Sequence, residues 1–452
     1  MLNETHLNRI LGTAFSTIEL RDVHWRTEDS TAESVLFYRI GEDPKAVAAF
    51  TERMRTASFG LLVVNRPHAD LPRNHVVLPE EKWPSAQKAL LDVLYPMPVL
   101  KLFALTGTNG KTTTTDLVLQ LGELVGKKGL SVGTLGVREN HRTILDFGLT
   151  SPSYVDLRKF LHRYAKGKDF CVMEASSHAL TQGRLYGLTF DSVGWLSFSQ
   201  DHLDYHKTME AYFEAKCLLF RHLSDRAKVF VPREQEELFT KIRRVTERVV
   251  KAPAVSAELP LFFSTQFNRN NLEVASAMVE DVYGVKPADY RALTAPDGRF
   301  FVSPYGSNLI VVDFAHTPDA LENICRGIRG SFPKHSLKVL FGCGGDRDRT
   351  KRPVMGSVVA KWANEIYVTS DNPRSEDPAQ IIQDILQGIR GKKVQQIVDR
   401  REAVRRAFAE LTENEVLLLA GKGHEDYILI KGVKHPYSDI GEVEAFLSRK
   451  KT

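Results

Sequence analysis

Short apolar runs alternate with segments of helical spacing along most of the chain. The runs that predict strands lie at residues 34–39, 60–65, 100–106, 170–174, 190–198, 227–231, 309–314, 338–343, 365–369, 394–398 and 415–420. Amphipathic helical patterns lie between them, at 43–57, 111–125, 208–221, 270–283, 350–363 and 377–389. Because parallel strands are joined by helical crossovers, this order predicts an α/β protein with parallel, doubly wound sheets.

Two turn-rich segments divide this pattern. Tyr95-Pro-Met-Pro98 closes the first block, and Thr294-Ala-Pro-Asp-Gly298 precedes a new strand. A chain of 452 residues is long enough for about three domains. We therefore expect a small N-terminal α/β domain at 1–97, a central doubly wound domain at 98–295 and a C-terminal Rossmann-like domain at 296–452.

The composition excludes several classes of protein. Lysine and arginine outnumber aspartate and glutamate by only 61 to 56, an excess too small for a nucleic-acid-binding surface. No apolar run approaches the roughly 18 residues of a membrane span, and the N-terminus shows no export signal. The cysteines form no CxxC pair, which argues against disulfides and structural zinc; they are Cys171, Cys217, Cys325 and Cys343. We expect a monomeric cytoplasmic protein without a nucleic-acid or membrane partner.

The segment Thr106-Gly-Thr-Asn-Gly-Lys-Thr-Thr113 follows an apolar run and begins a helical pattern. Gly107 and Gly110 let the backbone approach a polyphosphate, and free N–H groups at a helix start attract anions. The Lys111 ammonium can reach the β- and γ-phosphates, and the Thr112 hydroxyl can hold Mg²⁺. The spacing GxxGKT is shorter than the common GxxxxGKS/T, and the alternative is a glycine-rich turn with an exposed lysine. The strand before it and the helix after it favour an ATP or GTP site.

Polar residues recur where later strands end. Glu174 ends an apolar strand, so its carboxylate is placed to share Mg²⁺ with the phosphate loop. His202 follows the next strand, within Ser199-Gln-Asp-His-Leu-Asp-Tyr-His206. Singly, such residues are more often solvated than ligating, but their recurrence at successive strand ends favours a site. Lys216, on a predicted amphipathic helix, is by itself typical of an exposed lysine.

Three strands of the last third end in polar loops, at residues 340–349, 368–376 and 419–426. Each is also compatible with a solvated surface, where alternating charges and Asn-Pro turns are common. Because all three loops leave the same edge of one sheet, Arg347 and Arg374 offer two binding groups for carboxylates and Glu425 offers one for an ammonium. Such a pocket suits an amino acid.

A series of motifs in fixed order resembles the Mur ligases, the ATP-dependent enzymes that add amino acids during bacterial peptidoglycan synthesis. The motifs are GTNGKTT, LTSPS, MEASSHALTQGR, SQDHLDYH, EAKCLLF, FNRNN, DFAHTPDALEN, GCGGDRDRTKRP, DNPRSE and GKGHEDY. They cover about residues 99–445. Within the family they are most similar to the ligases that add the third residue to UDP-N-acetylmuramoyl-L-alanyl-D-glutamate.

The resemblance implies a role for each matched residue. ATP would be bound in the central P-loop domain by Gly107, Thr108, Asn109, Gly110, Lys111, Thr112, Thr113, Asn268, Asn271, Arg299, Asp313 and His316. The muramoyl-dipeptide acceptor would bind the N-terminal domain through its UDP-sugar part. Its dipeptide end would contact Thr150, Ser151, Ser176, Gln182 and Arg184. The amino acid would contact Arg347, Asp371, Asn372, Pro373, Arg374, Gly421 and Glu425 in the C-terminal domain. The DNPR form at 371–374 resembles enzymes that select meso-diaminopimelate over lysine, with a buried Arg374 guanidinium pairing with the distal carboxylate.

The resemblance also implies two Mg²⁺ ions and four catalytic residues, Lys111, Glu174, His202 and Lys216. Thr112 and Glu174 would hold one ion, and His202 and Lys216 the other, with Lys216 carbamylated by CO₂ to N6-carboxylysine. A carbamate turns a cationic amine into an anionic oxygen ligand, which requires a neutral amine first. ATP would phosphorylate the D-glutamyl carboxylate, and the amino acid would then attack the acyl phosphate.

The first domain departs from the family pattern. In place of a DSR-like segment and a DGH-like tripeptide near the uridine, this chain has Thr27-Glu-Asp-Ser-Thr31 and Ile40-Gly-Glu-Asp43. An acceptor without the UDP group, or lysine as the amino acid, stays an alternative. So do a folylpolyglutamate synthetase-like ligase, a non-catalytic muropeptide sensor and an ATPase that drives motion. The SSHALTQGR and DNPR segments disfavour the folate ligase, and the complete catalytic set disfavours a sensor.

Overall fold

The computed structural model describes residues 1–12, 19–140 and 142–449 and builds the N-terminal part around a small sheet. Its elements are α1 (Glu4–Leu11), β1 (Asp22–His24), β2 (Ser34–Tyr38), α2 (Pro44–Thr56), β3 (Leu61–Val64), β4 (His75–Val77) and α3 (Trp83–Leu94), with a 3₁₀ turn at Glu80–Lys82. The four strands are parallel and lie in the order β1-β2-β3-β4.

The central part is built on an eight-stranded sheet. Its elements are β5 (Lys101–Thr106), α4 (Lys111–Leu124), β6 (Gly129–Gly133), β7 (Gly136–Glu139), β8 (Arg142–Leu145), α5 (Tyr154–Tyr164), β9 (Phe170–Glu174), α6 (Ser177–Thr181), β10 (Phe190–Trp195), α7 (Leu203–His206), α8 (Met209–Cys217), β11 (Leu223–Val231), α9 (Glu236–Arg243), β12 (Val249–Lys251) and α10 (Gln266–Tyr283). Two 3₁₀ segments lie at Leu218–His222 and Leu261–Ser264. The order is β12-β11-β10-β5-β9-β6-β7-β8, parallel as far as β6 and antiparallel beyond it.

The C-terminal part has a six-stranded sheet and a separate hairpin. Its elements are β13 (Phe301–Tyr305), β14 (Asn308–Asp313), α11 (Pro318–Ser331), β15 (Ser336–Phe341), α12 (Lys351–Trp362), β16 (Glu365–Val368), α13 (Pro378–Leu386), β17 (Lys393–Gln396), α14 (Arg400–Ala409), β18 (Glu415–Ala420), β19 (Tyr427–Ile430), β20 (Val433–Pro436) and α15 (Asp439–Arg449). The order is β13-β14-β18-β15-β16-β17, in which only the β13–β14 pair is antiparallel.

Local chemistry sets where the helices next to the site begin. The Thr208 hydroxyl accepts from the backbone N–H of Ala211 and caps α8. Thr317 caps α11 in the same way, and Pro318 occupies the first helical position, where no N–H is needed. These caps fix the residue at which each helix begins, and therefore the residue at which the preceding loop ends.

The parts of the chain are joined by polar and apolar contacts. Asp22 forms an ion pair with Lys159 of α5 at 2.5 Å, which ties the N-terminal sheet to the central part. A continuous hydrophobic core includes Met278 of α10 and Ile324 of α11, so the central and C-terminal parts pack directly on each other. The cleft between these two parts contains the candidate site.

The predicted α/β architecture is confirmed, and every predicted strand run contains a strand. The run 190–198 stops as a strand at Trp195, because the next residues turn to the phosphate loop: Leu196 N–H donates to Thr106 O at 3.0 Å and Thr108 N–H to Ser197 O at 3.1 Å. The predicted helix 208–221 is α8 followed by a 3₁₀ segment. Within the described ranges, no helix is both long enough and apolar enough to cross a membrane.

Candidate active site

The phosphate loop connects β5 to α4 in a backbone conformation that glycine adopts without strain. Gly107 and Gly110 have φ values of 146° and 89°, a region that disfavours other residues. A Cβ at Gly110 would lie 2.7 Å from the side-chain oxygen of Asn271, so α10 packs against the loop without room for a side chain. The Lys111 ammonium donates to the carbonyl oxygens of Gly107 at 2.7 Å and Thr108 at 3.0 Å. The loop is thereby folded around its own lysine at the N-terminus of α4.

Lys216 is buried beside the same loop rather than exposed on its helix. Its side-chain nitrogen donates to Gly107 O at 3.0 Å and lies 4.5 Å from the centroid of the Tyr212 ring. Burial, and then the nearby positive charge of Lys111, hold the pKa of Lys216 well below its usual 10.5. Burial also lowers the pKa of Lys111. The neutral amine needed for carbamylation is therefore favoured at Lys216.

Glu174 and Thr112 face the cavity next to the phosphate loop. Glu174 is buried at the end of β9, where one carboxylate oxygen accepts from Thr134 N at 2.8 Å and the other from the Thr134 hydroxyl at 3.2 Å. The Thr112 hydroxyl lies 3.2 Å from a guanidinium nitrogen of Arg299. These contacts fix two oxygen-bearing side chains, which could serve as metal ligands, at the edge of the sheet where the parallel strands β5 and β9 end. The sequence predicted both at this edge.

His202 follows β10 and has a left-handed backbone, with φ of 56°. Its Nε2 lies 3.4 Å from a carboxylate oxygen of Asp201, and its ring contacts the His178 ring at a centroid distance of 4.9 Å. Burial lowers the pKa of His202 to about 4, so the ring is neutral near pH 7 and can act as a metal ligand. Sequence reasoning missed Asp201, although it directly precedes His202 in the motif.

The phosphate-loop cavity has a volume of about 520 Å³. Most of the expected nucleotide-binding residues line it: Thr108, Asn109, Gly110, Lys111, Thr112, Thr113, Asn268, Asn271, Arg299, Asp313 and His316. The other three expected catalytic residues, Glu174, His202 and Lys216, line it as well. The structure thus brings together residues that are up to about two hundred positions apart in the sequence.

The C-terminal part contributes its own wall to this cavity. Asp313, at the end of β14, accepts from the N–H groups of Phe300 at 2.7 Å and Ala315 at 2.8 Å, and burial raises its pKa. The Arg299 guanidinium lies 4.5 Å from the Phe314 ring centroid, and no described residue accepts a hydrogen bond from its buried Nε. Arg299 lines this cavity, and its positive charge suits an anionic ligand.

A hydrogen bond joins the two walls directly. The Asn109 side-chain amide in the phosphate loop donates to the carboxylate of Asp319 in α11 at 2.7 Å. Asp319 was not among the expected site residues, because nothing in its helix distinguishes it from an ordinary first-turn acidic residue. The contact links the position of the C-terminal part to the conformation of the phosphate loop.

The five residues expected to bind the muramoyl-dipeptide lie close together, but only some of them line the cavity. The Thr150 hydroxyl is 3.3 Å from the Thr134 hydroxyl, and both Thr150 and Ser176 line the phosphate-loop cavity. Ser151 is buried and donates to Glu174 O at 2.8 Å, so it supports the end of β9. Two further contacts complete the group: Arg184 donates to Ser151 O at 2.7 Å and to the Gln182 side-chain oxygen at 2.6 Å.

A second cavity of about 530 Å³, the C-terminal cavity, lies at the carboxyl edge of the C-terminal sheet. Six of the expected amino-acid-binding residues line it: Arg347, Asp371, Asn372, Arg374, Gly421 and Glu425. Pro373 is buried behind the wall instead. Asp201, His202 and Asp204 close the cavity from the central part, which was not predicted.

Arg374 is half-buried, so the expectation of a buried guanidinium is wrong. Its backbone is left-handed, with φ of 53°, and is held by the hairpin through a bond from its N–H to Leu429 O at 3.0 Å. One guanidinium nitrogen donates to Gly345 O at 2.7 Å. No described carboxylate forms an ion pair with it, and its side chain lines the C-terminal cavity. Arg347 is exposed at the mouth of the cavity.

Asn372 does not present its whole amide to the cavity. Its side-chain nitrogen donates to a Glu425 carboxylate oxygen at 2.8 Å, and its oxygen accepts from Lys422 and from Leu429 N–H, both at 2.8 Å. Lys422 is fully buried and was missed from the sequence. The signal was present, because a lysine between two glycines directly after the buried strand β18 is no ordinary surface residue.

Known protein families match two of the three parts of the chain. The family models for the Mur ligase middle domain and for the Mur ligase glutamate ligase domain match residues 105–282 and 298–423. A solved structure of a UDP-N-acetylmuramoyl-L-alanyl-D-glutamate--2,6-diaminopimelate ligase is 29% identical, with a TM-score of 0.66, and the match covers 99% of both chains. The Mycobacterium tuberculosis folylpolyglutamate synthase complexed with ADP is similar in fold alone. It has 15% identity and a TM-score of 0.62, over 75% of this chain and 91% of that one.

Curated relatives match more of the chain than the family models do. The UDP-N-acetylmuramoyl-L-alanyl-D-glutamate--2,6-diaminopimelate ligase of Bacillus cereus is 36% identical over 431 residues, which covers 86% of each chain. The ligase of the same name from Aquifex aeolicus is 37% identical over 381 residues, or 78% of each chain. With the phosphate loop, the buried lysine beside it and the second cavity in place, the chain belongs to the Mur ligase family.

Proposed function

We propose that this chain is an ATP-dependent ligase that adds meso-diaminopimelate to the D-glutamyl carboxylate of UDP-N-acetylmuramoyl-L-alanyl-D-glutamate in peptidoglycan synthesis. It acts as a monomer in the cytoplasm, where its free cysteines stay reduced. The observation that carries the proposal is the wall shared by the two cavities, formed by Asp201, His202, Phe314 and His316. A phosphate loop alone fits any nucleotide-dependent enzyme, whereas an adjoining cavity for an amino acid suits a ligase.

The first chemical step forms an acyl phosphate. A D-glutamyl carboxylate oxygen bonds to the γ-phosphorus of ATP, the bond between that phosphorus and the β–γ bridging oxygen breaks, and ADP leaves. Lys111 and the N–H groups at the start of α4 stabilise the negative charge on the phosphates. Arg299 adds a second cation, because its guanidinium lies 3.2 Å from the Thr112 hydroxyl on the same side of the cavity.

The second step forms the amide bond. The diaminopimelate amine loses one proton to solvent and attacks the acyl carbon. The tetrahedral intermediate then expels inorganic phosphate with the electron pair of the broken C–O bond, and the nitrogen gives its second proton to that phosphate, which leaves a neutral amide. Water would hydrolyse the acyl phosphate, so the cleft has to be closed around it. The bond between Asn109 and Asp319 supports this role, since it holds the C-terminal part against the phosphate loop.

The phosphate-loop cavity fits Mg²⁺ shared with a nucleotide. In the described part of the chain, no three His, Cys, Asp or Glu side chains cluster closely enough to hold a metal by themselves. Mg²⁺ commonly takes only one or two protein ligands and completes its shell with phosphate oxygens and water. Thr112 and Glu174 would hold one ion, and His202 and Lys216 the second. Bound Mg²⁺ supplies neutralisation of the charge on the transferring phosphoryl group.

Lys216 fits the carbamylated residue that the second ion needs. Attack on CO₂ requires an uncharged amine, and burial together with the Lys111 charge lowers the pKa of Lys216. The resulting carbamate would place two oxygens that share one negative charge beside the phosphate loop, where the nitrogen now lies 3.0 Å from Gly107 O. The burial of this side chain supports a role in the site rather than on the helix surface.

The C-terminal cavity suits an amino acid with an extra carboxylate. Arg374 has a guanidinium without a protein carboxylate, and Glu425 offers a carboxylate for an ammonium. Meso-diaminopimelate differs from lysine by the carboxylate on its distal carbon, which a guanidinium binds through two charge-assisted hydrogen bonds. The position of Arg374 in the cavity wall therefore supports diaminopimelate over lysine.

Phosphate release and product mass test the proposal together. With ATP and UDP-N-acetylmuramoyl-L-alanyl-D-glutamate, we expect release to depend on meso-diaminopimelate and the product to gain its mass less one water. Parallel reactions replace diaminopimelate with lysine, remove UDP from the acceptor, or supply a folate and glutamate. Turnover with the folate pair, or ATP hydrolysis that ignores the acceptor, would show that the proposal is wrong. If kcat/KM is the same with and without the UDP group, the proposed ligation stands and only the identity of the acceptor changes.

A further inference from the structure

A single buried lysine connects the loops that form the C-terminal cavity. The Lys422 ammonium donates to the Asn372 side-chain oxygen at 2.8 Å, to a Glu425 carboxylate oxygen at 2.8 Å and to the backbone oxygen of Tyr427 at 2.7 Å. An ammonium has three N–H donors, so these contacts use all of them. The lysine thus joins the loop after β16, the loop after β18 and the start of the hairpin at one atom.

The charges around this ammonium explain why it can stay buried. Lys422 has no exposed surface, and a buried cation is costly unless carboxylates compensate it. Two do so: Glu425 at 2.8 Å and Asp371 at 3.4 Å. Both line the C-terminal cavity, whereas Lys422 lies behind the wall that they form. Lys422 therefore acts on the cavity only through other residues.

The orientation of Glu425 is set by these bonds. Its Oε2 accepts from both Lys422 and the Asn372 amide at 2.8 Å. No described residue donates to its other oxygen, Oε1, and the side chain lines the cavity. One oxygen is thereby fixed inward while the other stays available to a ligand, which is the arrangement that an incoming ammonium group requires.

We infer that Lys422 is a positioning residue for the amino-acid substrate, which holds Glu425 so that its free oxygen accepts an ammonium group of that substrate. The inference rests on the proposed function, since it assumes that the C-terminal cavity binds the amino acid. Lys422 itself does not contact the substrate. Replacing it would weaken substrate binding by releasing Glu425 from its present orientation.

The first measurement compares two buried lysines of the C-terminal part. Lys422→Met should lower kcat/KM for meso-diaminopimelate at least 100-fold, mostly through KM, and leave the KM for ATP within twofold. Lys338→Met is the matched control, because Lys338 of β15 is also buried and paired with two carboxylates, Glu415 at 3.0 Å and Glu365 at 3.5 Å, away from the cavity. It should lower the melting temperature without raising the KM for diaminopimelate. An unchanged KM in Lys422→Met would overturn the inference.

A double-mutant cycle separates positioning from a general structural effect. If Lys422 acts through Glu425, then Lys422→Met adds little to the KM increase already caused by Glu425→Gln. Fully additive increases would show that Lys422 acts elsewhere, which contradicts the inference. If Lys422→Met does not fold, Lys422→Gln replaces it in the same double-mutant cycle, because glutamine keeps a hydrogen-bond donor and removes the charge. A wild-type chain without diaminopimelate ligation would refute the proposed function and the inference together, whereas an active wild type with an additive cycle refutes the inference alone.

Discussion

The side-chain nitrogen of Lys216 lies 3.0 Å from the carbonyl oxygen of Gly107, the same atom that the Lys111 ammonium contacts at 2.7 Å. Two lysines therefore meet at the first glycine of the phosphate loop, and burial lowers the pKa of both. We expect Lys216→Ala to abolish nearly all turnover, and bicarbonate or a short carboxylic acid to restore part of it by supplying anionic oxygens. Steady-state phosphate release at increasing formate concentration measures this rescue.

Lys207→Ala is the matched control for that experiment, because Lys207 is exposed and its ammonium donates to a neighbouring backbone oxygen, that of Asp204. It should keep its activity and respond to formate no more than the wild type does. Near-normal turnover in Lys216→Ala would mean that Lys216 is only part of the core.

Arg374 is expected to set the choice between meso-diaminopimelate and lysine. Because the guanidinium is half-buried, we expect the loss of its charged hydrogen bonds to cost about 1.5–3 kcal/mol, or roughly 10- to 150-fold in relative kcat/KM. Arg374→Ala should reduce the preference for diaminopimelate by that factor, and Arg374→Lys should not restore it, since an ammonium cannot bind bidentately. Competition between the two amino acids, read by product mass, measures the ratio.

The exposed Arg405 of α14, which pairs with Glu442, supplies the control for the arginine series. Arg405→Ala removes an equal charge from the same domain and should leave the ratio unchanged. A ratio that is the same in wild type and Arg374→Ala would place the selectivity at another residue.

Gly421 is expected to tolerate no side chain. Its φ is 109°, and a Cβ would lie 2.7 Å from a carboxylate oxygen of Asp371, at the wall of the C-terminal cavity. Gly421→Ala should raise the KM for diaminopimelate at least tenfold. Gly432→Ala shares the positive φ, at 81°, but its Cβ meets nothing within 4 Å, so it should lose only the stability that backbone strain costs, about 1–2 kcal/mol. If the two variants have the same KM, the contact with Asp371 has no role in binding.

Glu376 should contribute to stability in a pH-dependent way. Hydrogen bonds from Arg352, whose side chain is fully buried, lower the pKa of Glu376 from 4.5 to about 2. The stabilisation is therefore complete above pH 4.5 and is lost as the pH falls toward 2. Near pH 7, Glu376→Gln should cost about 1.5–3 kcal/mol, and the difference in melting temperature from the wild type should shrink between pH 7 and pH 3.5.

The exposed Glu236, paired with Lys251 on the central sheet, is the control for that titration. Glu236→Gln should change the melting temperature little at any pH, because exposed ion pairs contribute little. A constant difference for Glu376→Gln across the pH range would show that its charge is not what stabilises the loop.

The local sequence pattern was sufficient to predict the strands and the strand ends that carry the candidate site residues. The run that ends at Glu174 and the glycine loop before Lys111 both lie where the sequence predicted them, because burial on both faces makes a parallel strand apolar throughout. The domain boundaries remain predictions, and so do most residue roles, since those roles concern contacts with substrates.

Contacts between distant segments were not predictable in the same way. Lys216 has an ordinary helical context, and it is buried beside Gly107 only through the tertiary packing of α8. Asn372 was expected to face the substrate, yet its amide is used by Lys422 and Glu425, which lie some fifty positions later in the chain. Hydrophobic spacing reports which face of an element is buried and carries no information about which polar group meets it there.

The wall shared by the two cavities has a consequence for inhibition. Volumes of about 520 and 530 Å³ are each large enough for a drug-sized molecule. Because His202 and His316 border both cavities, a phosphate mimic in one and a diamino-acid mimic in the other would be separated by little more than one side chain. A short, rigid tether would let the binding of the first group present the second at high effective concentration. The geometry proposed to bring the amine to the acyl phosphate is therefore also the design rule for a bisubstrate inhibitor.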